Sequence, residues 1–379
     1  MKNIIAAIAL AMLTCSTLTA ATARFAMLGD YGYAGSASEL AVANLIKSWN
    51  PDFIVTAGDN SYNPGTIDAN IGQYYHDYIG AYAGAYGSGS PVNRFFPCVG
   101  NHEYSDGLGI NAYLTYFTLP GAGVQSDNSS GNERYYDFIQ GPVHFFAINS
   151  NIQDPDGIDS MSVQAQWLKS ELLYSPYPWN IVFFHHGAYS SATTHGSTPD
   201  LQWPYENWGA DLVVNGHDHS YERVMRDDNH NGDSIPYFIN GLGGRSLYTF
   251  PSSGFVEGST VRYAANYGAM QAEATDSTLI LKFYSVAGGT AGTLIDSIML
   301  RARESCCKGF VGNINANGGV DLSDLSSLVE WLTGAGVILP CEESARFDRT
   351  PPPDLDDLSA LVKYIAGESY RLPACPSSH

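Results

Sequence analysis

Short apolar runs that end abruptly in polar residues recur from residue 24 to about residue 300. Five of them end in Asp, Asn or His beside glycine: RFAML before GDYG, DFIVTA before GDNSY, FFPCV before GNHE, WNIVFF before HHG, and DLVV before NGHDH. Continuous apolar runs of this length are typical of strands buried on both faces. The pattern therefore predicts buried strands with polar side chains grouped at the strand ends.

Helical patterns separate some of these strands. SASELAVANLIKSW has Ser36 and Glu39 in the spacing of a capping box, and SVQAQWLKSELLY follows further along the chain. Strands that alternate with helices predict an α/β (α+β) architecture, in which ligands bind at the carboxyl ends of strands. YFINGL, TLILKFYS and LIDSIML predict antiparallel strands that close a second sheet.

The last quarter of the chain has a different pattern. RARESCC marks a boundary, and beyond it DLSDLSSLVEWLTG is repeated as DLDDLSALVKYIAG. Each copy predicts an amphipathic helix that is preceded by a loop. The predicted regions are a signal peptide at 1–23, a large domain at 24–302 and a small all-α module at 303–379.

The amino terminus has the pattern of a secretory signal peptide. One lysine precedes an apolar run from Ile4 to Leu13, and small residues then lead to a cleavage site before Arg24. This run is shorter than the ~20 apolar residues that span a bilayer, and no later stretch approaches that length. We expect an exported, released protein with no membrane span.

Net charge and cysteine content limit the functions that this chain can have. The net charge of −20 argues against a nucleic-acid-binding surface, because no basic stripe is present to release counterions. A small anionic substrate would need a local positive centre, and a metal ion can supply one. Clustered cysteines in an exported chain predict local disulfides among Cys306, Cys307, Cys341 and Cys375. Cys98 lies apart from them and is predicted to be an inert buried thiol.

The strand ends carry oxygen and nitrogen donors that can bind metal. A Gly-Asp pair or a His pair after one strand is usually only a turn, so the prediction depends on five strand ends taken together. Seven donors are too many for one tetrahedral site and suit two adjacent metal ions that share a bridging ligand. The predicted ligands are Asp30, Asp59, Tyr62, Asn101, His185, His217 and His219.

The blocks DYG, GDNSY, GNHE, VFFH and GHDH resemble the signature of the purple acid phosphatases within the calcineurin-like metallophosphoesterases. The resemblance covers about residues 24–300, and Tyr62 is its most specific feature because most of the superfamily lacks a tyrosine ligand. It implies a four-layer αββα sandwich of the short, tartrate-resistant type. It also implies a secreted acid phosphatase that hydrolyses phosphate monoesters.

The resemblance further implies a role for each ligand. Phenolate and carboxylate are hard anionic donors that suit Fe³⁺, whereas imidazole and amide oxygen suit Zn²⁺, Mn²⁺ or Fe²⁺. Hydroxide generated at the metal pair would attack phosphorus in line while both ions neutralise phosphoryl charge. Ferric iron would be held by Asp30, Tyr62 and His219, the divalent ion by Asn101, His185 and His217, with Asp59 as the bridge.

Two further histidines are implied to contact the substrate. His102 is placed to protonate the leaving alkoxide or to grip phosphate, and His195 matches the second substrate-binding histidine of the family. The interval from His185 to His195 is one residue longer than in the short family members, and an ordinary loop histidine is the alternative reading of His195. Val-x-x-His spacing selects His185 over His186 as a ligand.

Other residues near the blocks are interpreted as structural. His144 and His230 fall outside the five blocks. The glycine-rich NGLGG at 240–244 predicts a tight turn near the site rather than a phosphate cradle.

GNINANGGVDLSDL resembles the calcium loop of a dockerin module. Oxygen-bearing side chains at alternate positions, with Gly318 at the sharp bend, are typical of an EF-hand-like loop. The second copy has Arg346 at its first position and Pro351 in place of the glycine, so it is not expected to bind calcium. The resemblance implies one Ca²⁺ and a cohesin-like protein partner; a generic helical tail is the alternative. The predicted calcium ligands are Asn313, Asn315, Asn317 and Asp324.

Two alternative functions follow from the same residues. A phosphodiesterase or nucleotidase would use the same metal pair, because such ions cleave both types of phosphate ester. A tethered phosphate-binding protein without turnover is the other alternative, and the presence of all seven ligands together with His102 argues against it.

Overall fold

A computed structural model describes residues 22–375, except 63–66, 106–108, 128–129, 228–233, 303–305 and 308. The predicted signal peptide up to residue 21 and His230 lie outside the described residues. The first strand begins at Ala23, and the domain boundaries and export stay predictions. None of the described helices has both the length and the apolar character that crossing a membrane requires.

The described residues form thirteen strands in two mixed sheets. Along the chain they are β1 (Ala23–Leu28), β2 (Phe53–Thr56), β3 (Phe95–Pro97), β4 (Tyr136–Gln140), β5 (Val143–Ala147), β6 (Trp179–Phe183), β7 (Leu212–Asn215), β8 (Tyr221–Arg226), β9 (Ile235–Asn240), β10 (Ser259–Tyr263), β11 (Gly268–Ala274), β12 (Thr278–Ser285) and β13 (Thr293–Arg301). One sheet has the order β13-β12-β11-β1-β2-β3, and the other has the order β10-β8-β9-β7-β6-β5-β4.

Helices cover the outer faces of the sheets and form the carboxyl-terminal module. The α-helices are α1 (Ala37–Ser48), α2 (Gln73–Tyr75), α3 (Asn111–Tyr116), α4 (Val163–Tyr174), α5 (Tyr205–Trp208), α6 (Leu322–Leu332) and α7 (Leu355–Ile365). A π-helical turn spans Asp68–Gly72, and 3₁₀ turns span His76–Tyr78, Pro199–Leu201, Val286–Ala291 and Glu342–Ala345. Both helices predicted in the large domain are present as α1 and α4.

The predicted capping box at α1 is only half formed. The Ser36 hydroxyl accepts a hydrogen bond from the Glu39 N–H at 3.3 Å, as a helix cap does. The Glu39 carboxylate accepts from the N–H of Tyr33 at 3.1 Å instead of returning to Ser36. The chain entering α1 therefore curls back over the carboxylate.

The strand topology corrects one prediction. β9 is not part of a separate antiparallel sheet, because it runs parallel to β7 inside the seven-stranded sheet. β12 and β13 continue the other sheet through β11, which pairs antiparallel with β1. A hairpin pattern in the sequence does not specify which sheet the hairpin joins. Here β11 pairs with β1, so β12 and β13 extend the six-stranded sheet.

The principal core lies between the two sheets and is rich in aromatic side chains. Phe25 and Phe53 of one sheet stack at 5.1 Å between ring centroids, and Phe138 and Phe145 of the other stack at 4.7 Å. Phe145 also meets the ring of Phe25 edge to face across the interface. A second core joins the seven-stranded sheet to α4 and α5. The predicted αββα sandwich is therefore confirmed.

The carboxyl-terminal module has its own small core. α6 and α7 pack around buried residues such as Leu328, Phe347 and Leu361. Disulfides join Cys306 to Cys341 and Cys307 to Cys375, while Cys98 is buried and free in the large domain. Below about 80 residues a core supplies little stability, so the two crosslinks support this module.

The module touches the large domain through Arg349. Its guanidinium donates to the carbonyl oxygens of Leu173 at 3.0 Å and Trp208 at 3.4 Å. These carbonyls lie in the last turns of α4 and α5, where backbone acceptors lack helical partners and a cation is favourable. The module therefore docks on the helical layer of the sandwich.

Glu39 is buried with an incomplete set of hydrogen bonds. Its Oε1 atom has no hydrogen-bond partner among the described atoms, whereas Oε2 accepts from Tyr33. Burial raises the pKa of Glu39 to about 9, against the opposing effect of the Tyr33 N–H. Because the folded pKa lies above the unfolded value of ~4.3, this group favours folding most below that value and loses its contribution as pH rises towards 9.

Glu39→Gln should therefore be stabilised relative to wild type increasingly as pH rises. Glutamine keeps an acceptor for Tyr33 and does not titrate, so the difference in unfolding free energy should grow by at least ~1 kcal/mol from pH 5 to pH 8. Denaturant unfolding at both pH values measures this difference. The matched control is Glu368→Gln on the surface, and equal growth in both variants would contradict the prediction.

Candidate metal centre

Loops after five strands place the predicted ligands at one edge of the sandwich. β1, β2 and β3 end shortly before Asp30, Asp59 and Asn101, and β6 and β7 end before His185 and His217. β1, β2 and β3 run parallel to one another in one sheet, and β6 and β7 run parallel in the other. Their carboxyl ends consequently meet at the same edge, where open sheets of this kind bind ligands.

Three of the predicted ligands have a left-handed backbone. The φ angle is 59° at Asp30, 50° at Asp59 and 69° at His217. Such conformations are uncommon for residues other than glycine, cost ~1–3 kcal/mol each and cluster at functional sites. The N–H of His217 donates to Asp30 Oδ2 at 2.9 Å. This hydrogen bond joins the loop after β7 to the loop after β1. Gly100 is required beside them, because a Cβ there would lie 2.1 Å from the Asp59 nitrogen.

Asp30, Tyr62 and His219 form the first group of donors. The Tyr62 hydroxyl lies 3.2 Å from Asp30 Oδ1 and 3.1 Å from His219 Nε2. The third distance, from His219 Nε2 to Asp30 Oδ1, is 3.3 Å. Atoms that share one ion through bonds of ~2.0–2.2 Å are separated by about such distances. This group therefore has the spacing of a metal site.

His185 is the centre of the second group. Its Nε2 lies 2.9 Å from Asn101 Oδ1, 3.1 Å from His217 Nδ1 and 3.3 Å from Asp59 Oδ1. Its other nitrogen, Nδ1, lies 2.8 Å from the carbonyl oxygen of Ala57, which can only accept. Nδ1 therefore carries hydrogen, and Nε2 faces the other three side chains. A cation among these atoms, either a proton on Nε2 or a metal ion, makes their close approach favourable.

Asp59 lies between the two groups. One oxygen or nitrogen atom from each of Asp30, Asp59 and His219 can be chosen so that all lie within 4.8 Å of one another. Burial opposes ionisation of Asp59, but His185 and His102 outweigh it and hold the pKa of this carboxyl well below its usual range. For His185, burial is likewise outweighed by Asp59, which raises the pKa of the imidazole to about 10. Asp59 is placed to bridge two ions.

The neighbouring imidazoles are kept neutral. Burial, reinforced by His185, lowers the pKa of His217 far below its usual range. Burial and His185 also lower the pKa of His186 to about 3. His186 Nδ1 lies 2.8 Å from the Ser150 hydroxyl, away from the donor groups. Neutral imidazole is the metal-binding form, so His217 suits coordination whereas His186 is engaged elsewhere.

His102 and His195 both line the cleft above the donors. His102 Nε2 lies 3.9 Å from Asp59 Oδ2, and 38% of its side chain is exposed. The ring of His195 stacks on that of His217 at 3.8 Å between centroids. His195 is held there by its backbone N–H, which donates to Asp218 Oδ1 at 3.1 Å. The structure thus brings both histidines to the same place as the seven predicted ligands.

The loop after β9 adds three residues that no motif indicated. The Ser246 hydroxyl lies 2.5 Å from His219 Nδ1 and orients that ring. Tyr248 stacks on His219 at 4.1 Å between centroids. Arg245 also reaches the cleft. In the glycine-rich segment at 240–244 the chain bends from Gly243 onwards, and it packs so closely that a Cβ on Gly243 would lie 2.3 Å from the Gly29 oxygen.

A buried network supports the ligand loops from below. Glu103 accepts from the N–H groups of Ser61 at 2.9 Å and Gly100 at 2.6 Å, which ties two ligand loops together. Asn60 donates to the Cys98 carbonyl at 2.8 Å. Burial and the charge of Asp59 raise the pKa of Glu103 to about 8. These residues fix the loops rather than face the cleft.

His144 has the structural surroundings that its position outside the blocks predicted. Its ring lies between the Asp137 carboxylate and the Ser175 hydroxyl, at 3.0 Å from each. All three side chains are buried, so the hydroxyl is inaccessible to a substrate. The Ser175 hydroxyl in turn donates to Asn180 at 2.6 Å.

The cleft itself has a volume of about 160 Å³. Its lining combines predicted ligands with the residues of the β9 loop, namely Asp59, Tyr62, Asn101, His102, His195, His217, His219, Arg245, Ser246 and Tyr248.

Comparison with known proteins places this site in a family context. The sequence profile of the family described as calcineurin-like phosphoesterase matches residues 23–221, which include all seven predicted ligands. Purple acid phosphatase 15 of Arabidopsis thaliana is 28% identical over 251 residues, covering 58% of this chain and 45% of the relative. Purple acid phosphatase 3 of the same plant is 25% identical over 289 residues, covering 71% and 76%. This chain thus spans less than half of the first relative.

Two solved structures share the fold. Purple acid phosphatase PPD1 from yellow lupin has a TM-score of 0.55 at 19% identity, covering 75% of this chain and 54% of that one. GAP50, described as the anchor in the inner membrane complex of Plasmodium, has a TM-score of 0.53 at 20% identity, covering 75% and 90%. At these identities the likeness shows the fold alone.

Proposed function

The chain belongs to the calcineurin-like phosphoesterase family, and on that premise we propose that it is an exported phosphatase that hydrolyses phosphate monoesters with two bound metal ions. The observation that carries this proposal is the crowding of acceptor atoms around His185 Nε2, described above. In a buried pocket such crowding is unfavourable unless a cation lies among these atoms, and a bound metal ion would replace the proton that Asp59 otherwise holds on His185. Acid phosphatase relatives support hydrolysis as the activity.

The two donor groups differ in chemistry, and this difference supports an Fe³⁺ and a divalent ion. Burial and the carboxylates of Asp59 and Asp30 raise the pKa of Tyr62 far above its usual value. Its phenol therefore ionises only for a strongly polarising ion, which favours Fe³⁺ at this group. Histidine and amide donors suit Zn²⁺, Mn²⁺ or Fe²⁺ at the other. When bound, the ions supply Lewis acidity that activates water and neutralises phosphoryl charge.

The remaining cleft residues act on the ester. His102 lies at the mouth, where it can deliver a proton to the leaving oxygen. His195, stacked on His217, can donate to a phosphoryl oxygen and orient it. Tyr248 and Ser246 keep the ring of His219 in one orientation.

The carboxyl-terminal module supports a separate proposal, that of one Ca²⁺ and a cohesin-like protein partner. In the first loop the N–H of Asn315 donates to Asp324 Oδ1 at 3.0 Å, and the N–H of Asn317 donates to Asn315 Oδ1 at 3.0 Å. Gly318 has a φ of 103° at the bend. The loop thus coils around a set of side-chain oxygens, as calcium loops do.

Tyr62→Phe should bleach the colour of the iron-loaded protein. A phenolate bound to Fe³⁺ absorbs visible light by charge transfer, so wild type should be violet to pink. The visible spectrum and circular dichroism of both proteins measure colour and fold. A colourless, active wild type that contains only zinc or manganese would contradict the ferric assignment and leave the phosphatase proposal standing.

His102→Ala should lower kcat for p-nitrophenyl phosphate by ~10²–10⁴-fold, the range for loss of a general acid, at unchanged metal content. The control is His76→Gln, whose ring stacks on Tyr82 outside the cleft and which should retain activity. Loss of metal together with activity would show that His102 is a ligand. Wild-type turnover of bis(p-nitrophenyl) phosphate alone would favour the phosphodiesterase alternative, and phosphate binding without release from either ester would favour the binding-protein alternative.

Asp324→Asn should abolish calcium binding, and Asp357→Asn should not. The two residues cap α6 and α7 in the same way, so both variants lose the same helix-capping charge. Calorimetric titration of the full chain should give one Ca²⁺ for wild type and for Asp357→Asn. Two ions in wild type, or equal losses in both variants, would contradict a single site.

A further inference from the structure

Arg245 is the one lysine or arginine among the described residues that line the metal cleft. The whole chain has 18 lysines and arginines against 38 acidic residues, so cations are scarce. The reactive phosphate already has metal ions and two histidines to bind it in the proposed function. An additional cation beside them therefore calls for its own explanation.

Two tyrosine rings hold the guanidinium in place. Its central carbon lies 4.4 Å from the centroid of Tyr33 and 5.0 Å from that of Tyr62. Both distances lie within the range of cation–π attraction. Tyr62 belongs to the metal centre, whereas Tyr33 is 38% exposed and is not part of the cleft lining. The guanidinium therefore sits at the rim, one tyrosine ring away from the metal donors.

The backbone fixes this position. The N–H of Arg245 donates to the carbonyl oxygen of Asp30 at 3.1 Å, which ties it to a predicted ligand. Just before it, Gly244 has a φ of 144°, and a Cβ there would lie 2.7 Å from the Glu39 Cα. The loop cannot shift away from the sandwich without losing these contacts.

Within the described part of the chain, the hydrogen-bonding groups of this guanidinium have no partner. No described carboxylate lies within 4.0 Å of it, and no described atom accepts from it. Arg134 and Arg223 behave differently, because each donates to carboxylates at 2.8–2.9 Å. Arg245 is thus held by ring faces that leave its planar fork of donors available.

We infer that Arg245 forms an anion subsite that binds a second phosphate group of the substrate. A guanidinium fork matches the oxygens of phosphate in a bidentate manner and retains its charge at all working pH values. The subsite lies on the rim side of the metal-bound phosphate, where the ester continues. The inference rests on the proposed function and identifies its substrate class as compounds whose terminal phosphate is joined to a second phosphate, such as nucleoside diphosphates. Water would cleave the terminal P–O–P anhydride, with the nucleoside monophosphate as the leaving group.

The kinetic test compares ADP with p-nitrophenyl phosphate, which has a single phosphate. Arg245→Met, which removes the charge and keeps an unbranched side chain, should lower kcat/KM for ADP about tenfold more than for p-nitrophenyl phosphate, the scale of a lost charge-assisted hydrogen bond. Arg245→Lys should fall between. The control is Arg226→Met, which removes a cation held 4.6 Å from the Tyr189 ring outside the cleft and should not change the ratio.

Equal losses on the two substrates would place Arg245 on the reacting phosphate and overturn the inference, as would no loss on either substrate. If wild type hydrolyses neither compound, the proposed function fails, and binding then decides the subsite separately. Calorimetric titration of the metal-loaded protein with imidodiphosphate and with phosphate provides that measurement. Arg245→Met should weaken imidodiphosphate about tenfold more than phosphate, and equal weakening would overturn the subsite.

Discussion

The crowding of acceptor atoms at one edge of the sandwich is the constraint on which the site depends. Oxygen and nitrogen atoms of Asn101, Asp59 and His217 converge on Nε2 of His185 in a buried space. Strained left-handed backbone at three ligand positions is also needed to bring these atoms together. Neither feature stabilises the fold by itself, and a bound cation offsets both. The arrangement is therefore what a site prepared for metal ions would require.

The packed sandwich holds these donor atoms close together. Parallel strands deliver each ligand loop to the same edge, and an aromatic core locks the two sheets face to face. Beneath the loops, Glu103 fixes their separation through backbone N–H groups. Small displacements of one sheet against the other would separate the two donor groups, so packing far from the edge maintains the geometry of the metal centre.

The sequence predicts much of this because each predicted ligand lies in a loop that follows a strand, and each of these strands can be recognised by its apolar run. Contacts made by distant segments were not predictable in the same way. Glu39 bonds Tyr33 rather than its helix cap, β12 joins the sheet of β1, and Ser246 and Arg245 reach the site from a loop that carries no ligand motif. These placements depend on strand order and on glycine packing, which are determined by the whole fold.

Anomalous diffraction from crystals of the metal-loaded protein is the most direct test of whether the seven predicted ligands hold two metal ions. We expect two peaks. One should lie within bonding distance of Asp30, Tyr62 and His219, and the other within bonding distance of Asn101, His185 and His217. Asp59 should contact both ions. A single peak, or two peaks that leave Tyr62 or His185 uncoordinated, would contradict a binuclear centre built from these seven residues.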